Sequence, residues 1–162
     1  MSTYKNKIVG IDPGNTGAIV VRDANEIETI VMPVLEGQVD ERAVADLFLE
    51  IASEIKHVYL EEIYAVPTSG SSSMLNFGRG HGKICGVLAA LKIPYTLVRP
   101  QTWQKRVLGP RVGGTTKTRA VEVAGRLFPQ VELRATSRSK NPHLGIVDAL
   151  LISEYGVLSE VA

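Results

Sequence analysis

The chain has 162 residues and a mass of 17.5 kDa, with 44% apolar residues, 22% charged residues and a net charge of +1. That length supports one domain, residues 1–162, with a proper core, and the balance excludes an intrinsically disordered chain. A single cysteine, Cys85, excludes an internal disulfide and argues against a cysteine-based zinc site, and no apolar run approaches the roughly 20 residues that span a bilayer. The N-terminus leads straight into an apolar strand with no signal-peptide pattern, so a reducing, cytoplasmic setting is expected.

Lys7 to Pro13 reads as a buried strand through Ile8, Val9 and Ile11, stopped by the turn residues Pro13-Gly14-Asn15. Thr16 to Arg22 and Ile27 to Met32 follow as two more β-rich runs, and the short breaks between the three predict an antiparallel meander. Asp40 is placed to cap a helix from about Glu41 to Ile55, because Val44, Leu47, Phe48, Ile51 and Ile55 share one helical stripe. His57 to Tyr64 reads as a fourth strand. The polar stretch from Pro67 to Ser73 reads as a mobile loop beside a site rather than a domain linker. A helix from about Ser73 to Lys92 carries Gly78, Gly80, Gly82 and Gly86. Each glycine costs about 1 kcal/mol relative to alanine, so close backbone approach to another helix or to DNA is expected there. Pro94 to Arg99 is a fifth strand, Thr115 to Phe128 a basic helix, and Pro142 to about Val157 a final apolar helix. The order predicts an α/β fold: a five-stranded mixed sheet, three strands antiparallel and then two parallel, with helices on both faces.

Charge is unevenly spread. Between Arg99 and Lys140 stand ten basic residues, opposed only by Glu122 and Glu132. Such a stretch suits a phosphate-facing surface, although a solvated helix and loop face would look the same. Carboxylates in otherwise apolar elements are the sharper signal, since an unpaired buried acid is costly. Asp12 ends the first strand, Glu61 and Glu62 lie in the fourth, and Asp148 sits amid Ile146, Val147, Ala149, Leu150 and Leu151. Neighbouring strand residues face opposite ways, so only one of Glu61 and Glu62 can look toward Asp12. Three such carboxylates from separate elements form the oxygen-donor pattern that Mg²⁺ takes.

The segment Ile8 to Gly17 resembles the first strand and turn of RuvC-type Holliday junction resolvases, which have the RNase H-like fold. Val58 to Tyr64 is similar to their fourth strand, and Asp148-Ala149-Leu150 to the start of their last catalytic segment, with order and spacing agreeing over nearly the whole chain. The closing stretch from Pro142 to Gly156 resembles short bacteriophage members. This likeness implies a Mg²⁺-dependent endonuclease, with Mn²⁺ as a substitute, that resolves branched DNA in recombination and repair and leaves 5′-phosphate and 3′-hydroxyl ends. Asp12, Glu61 and Asp148 would be the metal ligands, Glu61 rather than Glu62 matching the resolvase acid. The position three before Asp148, usually an acid or histidine, is Gly145 here. His143 is the nearest substitute, as general base or ligand, or else an ordinary helix-start histidine. Lys117 matches a basic position of these enzymes and stands at a helix start suited to phosphate; Lys105, Arg106 and Arg119 are supporting DNA-binding candidates. Tyr64 matches an aromatic that stacks on an unpaired base. A homodimer is implied by the two-fold symmetry of a four-way junction, with the glycine-rich helix from Gly78 to Leu91 as the expected contact. Two alternatives are a catalytically silent junction-binding module, for which Gly145 leaves room, and a phosphate binder on the sugar-kinase plan, which the turn after Asp12 resembles but which needs a second domain.

Overall fold

The computed structural model describes residues 5–64, 70–110 and 112–161. Strands β1 (Lys7–Asp12), β2 (Ala18–Arg22) and β3 (Ile27–Val31) form the expected antiparallel meander. Helix α1 (Glu41–Ile51) begins at Asp40, whose carboxylate accepts from the Arg42 and Ala43 backbone N–H groups. It returns the chain to β6 (Ile55–Glu61), which lies parallel to β1. Helix α2 (Ser71–Ala90) crosses over to β7 (Tyr95–Val98), parallel to β6. The sheet order is therefore β3-β2-β1-β6-β7.

Three details differ from expectation. Ile55 falls on the apolar stripe of α1, yet the helix stops at Ile51 and Ile55 opens β6, buried in either role. A hairpin of β4 (Val34–Leu35) and β5 (Gln38–Val39) lies between β3 and α1. Its two-residue turn, Glu36-Gly37, has φ of 50° and 73°, the left-handed pair that such tight turns need. The third is helix α3 (Pro100–Leu108), opened by proline at its first position and joined to the basic helix α4 (Thr116–Leu127). The final helix, α5, spans Leu144–Glu160. The expected loop from Pro67 to Ser73 falls partly outside the described residues, and its Ser71-Ser72-Ser73 portion begins α2. Among the described residues no helix is long and apolar enough to cross a membrane.

Strand alternation sorts the sheet into two cores. Val9, Ile11, Ile19, Val21, Val58 and Leu60 pack under α1 and α2 with Phe48, Ile84 and Leu88. Ile8, Ala18, Val20 and Tyr59 face the other way, under α3, α4 and α5. Of the helix glycines, Gly80 has a packing reason, because a Cβ there would press on Val39 of the hairpin at 2.9 Å; Gly78, Gly82 and Gly86 face open space. Helix α5 is apolar on nearly every side because it is sandwiched between the sheet and α3 and α4. Gly10 sets its height: a methyl group there would strike the Ala149 carbonyl and the Ser153 backbone, so only glycine lets α5 lie this close to β1.

Candidate metal centre and nucleic-acid face

Parity and close packing together build the site. Asp12 has the same parity as Ile8 and Gly10 and therefore faces α5. Tyr59 faces α5 as well, so Glu61, two residues on, does too, and the pairing of Ile11 with Leu60 sets Asp12 beside Glu61. Helix α5 supplies Asp148, one residue before the Ala149 that rests on Gly10.

The electrostatics report the same convergence. Burial pushes the Asp12 carboxyl up to about 6, opposed by a weak bond from the Gly14 N–H at 3.4 Å. Burial raises Glu61 to about 7, against the indole N–H of Trp103, which donates to its Oε2 at 2.6 Å, and with added repulsion from Asp12. Asp148 rises to about 7 through burial, then Asp12 and then Glu61, with Lys117 pulling it down. Asp12 thus disfavours the ionisation of Glu61 and Asp148, Glu61 that of Asp148, and among the described residues the cation that acts on Asp148 is an exposed lysine. Among the described residues no three His, Cys, Asp or Glu side chains already surround one point as a ready-made ligand cluster. Glu61 is instead turned toward Trp103 and Asp12 toward its own turn. The donor chemistry nevertheless fits a hard divalent cation: three carboxylates on one face, partly buried and short of positive charge.

Glu62 lies apart from this group. Its carboxylate pairs with Arg99 at 3.2 Å and influences His81 on α2. His143 is the N-cap of α5, where its Nδ1 accepts from the Ile146 N–H at 3.2 Å. An Nδ1 that accepts leaves the proton of a neutral ring on Nε2, so the cap competes with a base or ligand role at Nε2. Gly145 has a steric explanation: a Cβ there would collide with the backbone of Thr16 and Gly17. An acid cannot stand at that position while the β1–β2 turn keeps its place.

The basic candidates divide into two kinds. Lys117 is exposed in the first turn of α4, close enough to Asp148 to affect it. Lys105 and Arg106 are exposed in the last turn of α3. Arg119, by contrast, spends its guanidinium on the Leu108, Gly109 and Pro110 carbonyls, tying α4 to the end of α3. Tyr64 is half exposed just beyond β6 and its hydroxyl accepts from Gln101 Nε2 at 3.0 Å, so it is a surface rather than a core tyrosine. Trp103 is the residue that sequence reasoning missed. Its spacing from Val107 and Leu108 after a helix-starting proline was the available signal.

No protein-family profile and no curated protein sequence matches the chain. Solved structures do. RuvC of T. thermophilus in complex with a Holliday junction substrate aligns with a TM-score of 0.67 at 14% identity, over 96% of this chain and 94% of that one. A second T. thermophilus RuvC structure aligns at 0.58 and 16% identity, over 94% and 96%. The chain has the RNase H-like fold of RuvC, the mixed five-stranded sheet expected from the sequence.

Proposed function

We propose that this chain is a divalent-metal-dependent endonuclease that cuts Holliday junctions and related branched DNA. The observation that carries the reading is the convergence of Asp12, Glu61 and Asp148 on the α5 face, each raised by burial and two of them further by their acidic neighbours, on a fold whose solved relative is bound to a Holliday junction. An arrangement that destabilises the folded chain needs a compensating role, and a cation site supplies one. Asp12, Glu61 and Asp148 would hold Mg²⁺ or Mn²⁺. When bound, such ions lower the pKa of the attacking water and offset charge on the scissile phosphate. Trp103 fixes one oxygen of Glu61, and the other would be the one available to a cation. Lys117 would offer the phosphate backbone a cation beside Asp148, the exposed Lys105 and Arg106 at the end of α3 would add to it, and Tyr64 offers an exposed ring beyond β6. Hydrolysis by this plan leaves 5′-phosphate and 3′-hydroxyl ends. His143 acts as a helix cap in this account, and Arg119 as a brace.

A homodimer would serve a two-fold symmetric junction. The open face of α2, with Gly78, Gly82, Gly86 and the half-exposed Leu75, is the surface assigned to it. Sedimentation as a monomer at micromolar concentration contradicts that part. The decisive assay incubates the protein with four-way, Y-shaped and linear duplex DNA in Mg²⁺ or Mn²⁺. Cleavage of branched substrates, lost in Asp12→Asn, supports the nuclease. Junction binding without cleavage in the wild type favours a silent binding module, the reading that the steric block at Gly145 keeps open.

A further inference from the structure

Trp103 is the chain's only tryptophan and is 1% exposed. Its indole nitrogen has one proton to give, and that proton goes to Glu61 Oε2 at 2.6 Å. Among the described residues no donor reaches the other oxygen, Oε1. The Glu61 carboxylate is therefore asymmetric, with one oxygen committed inside the fold and one left over. Turning it to present both oxygens together would strand a buried N–H, which folded proteins rarely tolerate. Nor can the indole follow, because α3 is held at both ends. At its start, Arg99 Nε donates to Glu62 Oε2 at 3.2 Å, and Gln101 Nε2 donates to the Tyr64 hydroxyl at 3.0 Å. Three alternate residues, Arg99, Gln101 and Trp103, thus hold the segment in which β6 ends. At the other end, Arg119 donates to the Leu108, Gly109 and Pro110 carbonyls.

Hard divalent cations differ in what they ask of such a carboxylate. Ca²⁺ takes about six to eight oxygens in flexible geometry, and often draws on both oxygens of one carboxylate. Mg²⁺ and Mn²⁺ prefer an octahedron of six or so oxygens, in which a carboxylate that gives one oxygen fits well.

We infer that Trp103 sets the ion selectivity of the site: by holding Glu61 to one available oxygen, it favours Mg²⁺ and Mn²⁺ over Ca²⁺. The inference rests on the nuclease reading and adds to it the residue that chooses the cation. Trp103 is a positioning residue, because it acts through Glu61. The test is calorimetric titration of the metal-free protein with Mn²⁺ and with Ca²⁺ at pH 8, read as the ratio of the two dissociation constants. Heat that persists in Asp148→Asn is subtracted as binding elsewhere. Expression in a tryptophan auxotroph fed β-(3-benzothienyl)alanine exchanges the N–H of this one residue for sulfur and keeps the shape of the ring. The packing around α3 is thereby preserved, and a melting curve checks it. Wild type is expected to prefer Mn²⁺ by at least about tenfold, and the sulfur analogue to narrow that ratio by on the order of tenfold. A merely structural role for Trp103 would weaken both ions together and leave the ratio where it was. A ratio that is unchanged or wider in the analogue overturns the inference, as does a wild type that binds the two ions equally. No binding of either ion by wild type overturns the nuclease reading itself, and the selectivity with it.

Discussion

The α5 face of the sheet has two ends that handle charge in opposite ways. At one end Arg22 of β2 meets Glu154 of α5 at 2.6 Å, and its guanidinium carbon stands 5.0 Å from the centre of the Phe128 ring. At the other end, a turn and a half earlier on the same helix, Asp148 feels the charges of Asp12 and Glu61, and among the described residues only the exposed Lys117 offsets them. Helix, sheet and neighbouring core are shared, so burial alone does not explain the difference. The first end couples charge to hold the fold together. The second stores repulsion that the fold would be more stable without, the pattern expected of the proposed cation site.

Mutations at the two ends should therefore separate activity from stability. The largest effect is expected at the acid end. Asp12→Asn and Asp148→Asn should each lower Mg²⁺-dependent junction cleavage by about 10³-fold or more, read by single-turnover kinetics. The paired end should show the reverse. Glu154→Ala strands Arg22 and should lower the melting temperature by roughly 5–10 °C, while cleavage well below that temperature stays within about threefold of wild type.

A smaller effect of opposite sign checks the stored repulsion. Folded carboxyls at about 6, 7 and 7 lie above the ordinary 3.8 to 4.5. The folded chain then binds more protons than the unfolded one, and stability in chelator falls as pH rises from about 4 to 7. Asp148→Asn should flatten that decline and melt roughly 3–6 °C higher than wild type at pH 8 in chelator, followed by circular dichroism. The smallest effect is expected at Lys117. Lys117→Ala should weaken junction binding only severalfold and reduce the slope of log affinity against log salt by about 1, measured by fluorescence anisotropy.

Much of this was legible because it depends on period and parity. The meander, the crossovers and the inward acids follow from alternating strands and one polar residue in an apolar helix. The choice between Glu61 and Glu62 was not settled by alternation alone, since either could have faced Asp12 until the register of β6 on β1 was known. Helix α3 was hidden because its nine residues are mostly polar and its burial rests on Trp103 and Leu108. The end of α1 was misread because Ile55 is apolar in either setting, and periodicity carries no stop signal there. Gly145 looked like a missing ligand; only the nearness of Thr16 and Gly17, far away in the chain, reveals a packing requirement. Arg119 and Lys117, two apart on one helix, look equivalent as charges and differ only in what their side chains reach.

Calorimetric titration of the protein with Mn²⁺ at pH 8 tests cation binding by the three carboxylates most directly. Wild type should bind saturably and Asp148→Asn much more weakly, with Glu154→Gln binding like wild type. Equal binding by wild type and Asp148→Asn, or none by wild type, would contradict the account.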